Sequence, residues 1–416
     1  MNEEKKLVPK LRFPEFRDAG EWGERKIGDF LTESRLSGSK GNVAKKLTVK
    51  LWGNGVHGKN ESIQGSINTQ YFRRKAGQFI YSKLDFLNQA FGVIPPNLDG
   101  FESTVDLPCF DIAGGLNSVF LLEYVKRKDF YERLGEAADG SRKARRIHAE
   151  TFQSFSLVLP IAAEQQKIAD CLSSLDELIA ALARKVAVFK THKKGLMQQL
   201  FPREGETQPH LRFPEFQSEA EWVVQKFEAL AKRGSGHTPS KSRSEYYDGG
   251  IKWVSLADSK YLDAGLISNT KIEISKQGIK NSSAILHPAG TVLISRDAGV
   301  GKSAVMGIPM AVSQHFIVWT CNPSLLSNWF LYHLLQKMKP VFERNATGST
   351  IKTIGLPFFK ALCVSVPSLP EQQRIADCLN SLDDLITSQT QELETLKTRK
   401  KGLMQHIFPS AEAVEA

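Results

Sequence analysis

Nine residues beginning at Glu164, EQQKIADCL, return at Glu371 as EQQRIADCL, with Lys167 replaced by Arg374. Two further markers recur in the same order. LRFPEF stands at Leu11–Phe16 and at Leu211–Phe216, each time followed by Glu-Trp (Glu21-Trp22 and Glu221-Trp222). KKGLMQQLFP at Lys193–Pro202 returns as KKGLMQHIFP at Lys400–Pro409. The offset is 200 at the first marker and 207 at the later two, so the second copy carries seven more residues between its markers. A chain of 416 residues built this way is a tandem duplication, and any fold it adopts must use one plan twice. The expected division is 1–160 and 203–367 as variable domains, with 161–202 and 368–410 as the repeated helical segments.

The repeated segments carry a heptad seam. In the first it runs Ile168, Leu172, Leu175, Ile179, Leu182, Val186, Phe189, Leu196 and Leu200, with Lys193 at one seam position. In the second it runs Ile375, Leu379, Leu382, Ile386, Leu393, Leu396, Leu403 and Ile407, with Gln389 and Lys400 interrupting. Steps of four and three kept over five heptads predict a coiled-coil helix of roughly 55 Å in each copy. Each helix is acidic early (Glu164, Asp170, Asp176, Glu177) and basic late (Arg184, Lys185, Lys190, Lys193, Lys194), and the second copy repeats the trend. An antiparallel pair sets acidic against basic ends, whereas a parallel pair opposes like charges. The expected architecture is therefore two α/β (α+β) domains separated by long helices that form an antiparallel coiled coil, pseudo-two-fold symmetric, with a domain at each end. The competing reading makes each helix a linker packed on its own domain.

Between the markers the two copies share little sequence. In the first, SVFLLEYV (Ser118–Val125) reads as a strand by its β-branched and aromatic content, followed by the helix KDFYERLGEAA and the strand FSLVLP. In the second, HFIVWT (His315–Thr320) reads as a strand, followed by a helix with Ser324 as N-cap and the strand ALCVSVP. One element order with diverged letters points to one fold put to two uses.

Formal net charge is +10 and the pI is near 9.2, which favours a polyanionic partner, nucleic acid first. The five cysteines form no CxxC pair, so neither a disulfide framework nor a zinc site is expected. No apolar run is long enough to span a bilayer, and the N-terminus lacks a signal-peptide core, so a cytoplasmic protein without membrane contact is expected. Two diverged basic modules on one rod suit an asymmetric, two-part DNA target.

At this point the chain resembles the specificity subunit of a type I restriction–modification enzyme over nearly its whole length. The resemblance rests on LPIAAEQQKIADCLSSLDELI, VPSLPEQQRIADCLNSLDDLI and the KKGLMQ tails. It rests also on GHTPSKSRSEYYDGGIKWVS (Gly236–Ser255), GSTIKTI (Gly348–Ile354) and GQFIYSKLDFLNQAFGVIP (Gly77–Pro95). It implies that the variable domains are target-recognition domains for double-stranded DNA. It also implies that the helices bind two methyltransferase subunits, and that a restriction/translocase subunit can join. No catalytic residue, cofactor or metal is then expected in this chain, with S-adenosylmethionine, ATP and Mg on the partner subunits. The first domain departs from the pattern, with GSRKARR (Gly140–Arg146) where the second has GSTIKTI.

Candidate DNA-contacting residues are the basic clusters Arg73, Arg74, Lys75; Arg142, Lys143, Arg145, Arg146; and Lys241, Arg243. To these the glycine loop DAGVGKSAV adds Lys302 and Ser303 on phosphate, with Asp297 or the preceding Arg296 facing bases, and GSTIKTI adds Thr350 and Lys352. DAGVGKS is a poor phosphate loop for a nucleotide, because Arg296 stands where the first glycine is needed. VIPPN (Val93–Asn97) has the wrong order for an amino-methyltransferase motif. The rival functions are a scaffold that binds nucleic acid without sequence preference and recruits partners by its rod, and an independent enzyme using the GVGKS loop.

Overall fold

A computed structural model describes residues 7–59, 65–135 and 146–409. The chain forms two compact units, Met1–Leu182 with Glu392–Ala416, and Ala183–Gln391. These units cut across the four-segment division expected above. The long helix Ala162–Leu200 gives its first part to unit 1 and its last part to unit 2, and Leu369–Ile407 does the reverse. The reason lies in the seam, since an apolar stripe is buried only where a second helix covers it.

Within each unit the two helices run antiparallel. In unit 1, Lys400 meets Asp176 at 2.7 Å, while Ile407 and Phe408 pack with Ile168 and Leu172, so numbering rises on one helix as it falls on the other. In unit 2, Lys193 meets Asp383 at 2.5 Å, while Leu200 packs with Ile375 and Leu379. Every seam position named above is buried or half-buried, Lys193, Gln389 and Lys400 included. The seam lysines end on carboxylates, so the two lysine interruptions of the heptads are charge-matched positions.

Each unit holds an antiparallel sheet of the same order. In unit 1 it is Leu31–Glu33, Cys109–Ile112, Phe79–Tyr81, Phe91–Val93. In unit 2 it is Ala231–Ser235, Phe316–Cys321, Val292–Ser295, Ser303–Met306, with Leu266–Ile267 added in parallel. A two-stranded ribbon flanks each sheet, Gly23–Lys26 with Ser156–Leu159 and Val223–Lys226 with Cys363–Val366. The strand matching HFIVWT is therefore Cys109–Ile112. SVFLLEYV is a helix, Ser118–Val125, and matches the helix Asn328–Asn345 instead. The cap decides against strand propensity. Asn117 accepts the N–H groups of Val119 and Phe120, and Phe120, Leu121, Tyr124 and Val125 then fall on one buried face. In unit 2 the N-cap is Ser327 rather than Ser324, because Asn322 holds Ser324 in a turn before the helix begins.

The repeated polar letters form a latch. Arg12 of LRFPEF donates two bonds to Glu164, at 2.8 and 2.7 Å, and Arg212 donates two to Glu371, at 2.9 and 2.6 Å. Gln165 donates to the Pro160 carbonyl and accepts the Asn117 N–H, and Gln372 does the same with Pro367 and Ser327. The one changed position keeps its partner, since Lys167 reaches Glu15 and Arg374 reaches Glu215, each at 3.0 Å. EQQ-IADCL thus serves two faces of the helix. Its apolar positions make the seam, and its polar positions fasten the LRFPEF segment and the cap of the short helix to the rod.

Candidate nucleic-acid interface

Strand register fixes where the variable loops emerge. In unit 2, Ser235 pairs with Ile317, Ser295 with Phe316, and Ile294 with Ser303. The loops 236–246, 296–302 and 313–315 therefore leave the sheet at one edge. Hydrogen bonds bind them to each other. Thr238 donates to Gln314 at 2.5 Å, and the Arg296 N–H donates to the His315 carbonyl at 3.0 Å. The GSTIKTI loop joins them through a backbone bridge from Thr353 to Asp297 and a bond from the Ile354 N–H to the Arg296 carbonyl at 2.9 Å. His315 lies at the centre, its Nδ1 2.9 Å from both carboxylate oxygens of Asp297. Thr350, Lys352, Lys241, Arg243 and His237 are exposed on the loops of this edge. Arg296 is half-buried, and its Nε has no hydrogen-bond partner among the described residues.

Unit 1 builds the same edge from Glu33, Tyr81 and Cys109, whose strands end or begin together. There the Ile147 N–H donates to the Lys83 carbonyl at 3.1 Å, the counterpart of the Ile354 bond in unit 2. The basic loop of the first copy and GSTIKTI of the second thus rejoin their sheets in the same way, although their letters differ. Arg146 is exposed at that point, while Arg142, Lys143 and Arg145 lie outside the described residues. Arg73 and Lys75 are exposed, Arg73 on the strand Gln70–Arg73 that pairs with Ser37–Lys40.

Three of the sequence candidates are placed elsewhere. Arg74 is 2% exposed, and its guanidinium donates to Ser103 Oγ and to the carbonyls of Ser34 and Leu107. Burial pulls its pKa down, yet the group is spent on structure and cannot reach a ligand. Ser303 is wholly buried and receives Gln336 on its hydroxyl. Lys302 is half-buried and donates to the Ser259 carbonyl at 3.1 Å. The glycine loop is a tight hairpin in which Gly301 donates to Ser295 and Lys302 to Gly299. Gly299 and Gly301 have positive φ, the backbone state that glycine adopts without strain. Those N–H groups close the turn and do not wrap a phosphate. Among the described residues, no group of His, Cys, Asp or Glu could hold a metal ion. None of their helices is long and apolar enough to cross a membrane. Burial pushes the thiols of Cys109 and of half-buried Cys321 up to about 12.

His315, Gln314 and His237 lie outside the clusters of basic residues that mark DNA contacts in the sequence. The available signal was position, since His315 immediately precedes the strongest strand of the second copy.

Residues 219–398 match the family model of the type I restriction modification DNA specificity domain. The MjaVIII specificity subunit of Methanocaldococcus jannaschii is 22% identical over 411 residues, 95% of this chain and 92% of that protein. The putative MjaX specificity subunit of the same organism is 24% identical over 292 residues, 69% of this chain. That match spans 65% of the relative's length, and a match to the MjaIX specificity subunit spans 44%. The solved S subunit from M. genitalium shares the fold with a TM-score of 0.61 at 16% identity, covering 97% of this chain and all of that one. Over residues 219–398 the chain thus matches the specificity-domain family, and over most of its length it is similar to specificity subunits of type I restriction–modification enzymes.

Proposed function

We propose that the chain reads an asymmetric, two-part sequence in double-stranded DNA, one part by the loop edge of each unit. The observation that carries this reading is the pairing of one conserved sheet order with two diverged loop edges. A duplicated scaffold kept for symmetry alone has no use for edges so unlike as GSRKARR and GSTIKTI. Exposed cations set the edge on phosphates, and polar side chains between them face the bases. The latched helices dock two methyltransferase subunits, and a restriction/translocase subunit joins that assembly. S-adenosylmethionine, ATP and Mg act on those partners, and the complex works in the cytoplasm. The family match supports DNA recognition over a non-specific scaffold.

The test is exchange of Glu221–Pro367 for the matching segment of a relative with another target. One part of the target should change and the other should stay. A change in both parts, or in neither, refutes two independent readers.

A further inference from the structure

We propose that His315 is a base-reading side chain of unit 2, accepting a hydrogen bond in the major groove from the exocyclic amino group of an adenine or a cytosine. This rests on the DNA-reading function above and names one of its specificity determinants.

Placement comes first. His315 stands in the turn before Phe316, bonded to the loop 296–302, which is itself bridged from Asp297 to Thr353. Its side chain is 32% exposed, against 15% for Asp297 beneath it. Orientation comes second. Both Asp297 oxygens lie 2.9 Å from Nδ1, and the main chains of Arg296 and His315 are bonded as well. The Asp297 backbone is itself held in a bridge with Thr353, so the carboxylate that aims the ring is fixed from two loops. A ring held this way needs little ordering when it meets a ligand.

The chemistry then follows from the proton. An ionised carboxylate only accepts, so Nδ1 carries the hydrogen, and in the neutral imidazole Nε2 is an acceptor. Nε2 has no hydrogen-bond partner among the described residues. In the major groove adenine and cytosine present amino donors, whereas guanine and thymine present acceptors where an acceptor head would be repelled. A fixed, outward acceptor among exposed Lys352, Lys241 and Arg243 therefore selects bases while its neighbours hold phosphates.

The experiment is selection from a randomised duplex library by the full chain assembled with its methyltransferase partner. The wild type should return a two-part motif with adenine or cytosine at the position concerned. His315→Ala should relax that one position about tenfold and leave the other part of the motif unchanged. His315→Arg should move the preference there to guanine. Thermal melting checks that each variant is folded, and His315→Gln serves if the alanine variant is not. A folded variant that returns the wild-type motif at every position overturns the assignment of His315 alone. A wild-type complex that returns no motif overturns the DNA-reading function and this inference with it.

Discussion

Removing the arginine of each latch should destabilise the two units unequally, although the two sites have the same letters. Arg12 and Glu164 are 7% and 1% exposed at their side chains, and Arg212 and Glu371 are 14% and 1% exposed. Truncating one partner of a buried pair leaves an uncompensated charge and costs about 3–5 kcal/mol. Arg12→Met should therefore cost about 4 kcal/mol, because among the described residues no other side chain bonds to Glu164. Glu371 keeps a second donor, since the Trp222 indole N–H lies 3.2 Å from its Oε1, whereas the Trp22 indole N–H has no partner among the described residues. A hydrogen bond to a charged group contributes about 1.5 kcal/mol, so Arg212→Met should cost only about 2.5 kcal/mol. Replacing the whole pair, as Arg12→Met with Glu164→Leu, should recover most of the loss, since an apolar pair of similar volume has no charge to desolvate. Urea unfolding followed by tryptophan fluorescence measures all three, with Trp22 and Trp222 buried in their respective units. A cost below about 1 kcal/mol for Arg12→Met, or a larger cost in unit 2 than in unit 1, would refute the latch as a buried, charge-dependent fastening.

The seam lysine of unit 1 should set an acid dependence. Burial pushes the Glu123 carboxyl up, but Lys126 and Lys400 outweigh it and hold the group below its ordinary value of 4.5. A carboxylate depressed in the fold stabilises above its unfolded pKa and loses that stabilisation as pH falls through its folded value. Lys400→Met should lower stability at neutral pH by about 2 kcal/mol and flatten the loss below about pH 4.5, as read from unfolding curves between pH 3 and 7. An unaltered pH profile would show that Glu123 does not depend on the rod. At the loop edge, replacing Lys241, Arg243 and Lys352 with alanine should reduce the salt dependence of DNA binding by up to about 0.9 per lost phosphate contact. An unchanged slope would make them an ordinary solvated face.

The long helices were legible because a heptad repeat needs only periodicity, and every seam position does turn inward. SVFLLEYV was not legible, because composition favours a strand and only the Asn117 cap and the packing of Phe120 and Tyr124 select a helix. Reading it as a strand shifts the alignment of the two copies, whose sheets share an order of four antiparallel strands once it is placed as a helix. The latch escaped because its partners lie 152 and 159 residues apart, a distance at which one sequence carries no pairing signal. Basic residues were found by type, but type did not separate exposed Arg73 from Arg74, which the alternation of side chains turns inward. His315 was missed because its meaning comes from Asp297, eighteen positions away and joined to it only by the fold.

The most direct test is a genome-wide map of methylated bases in DNA from cells that carry this chain with the methyltransferase proposed to partner it. Two differing loop edges on a duplicated scaffold predict one asymmetric motif, with two short specified blocks separated by unspecified bases of constant number. A contiguous motif, a palindromic one, or methylation without sequence preference would contradict that prediction.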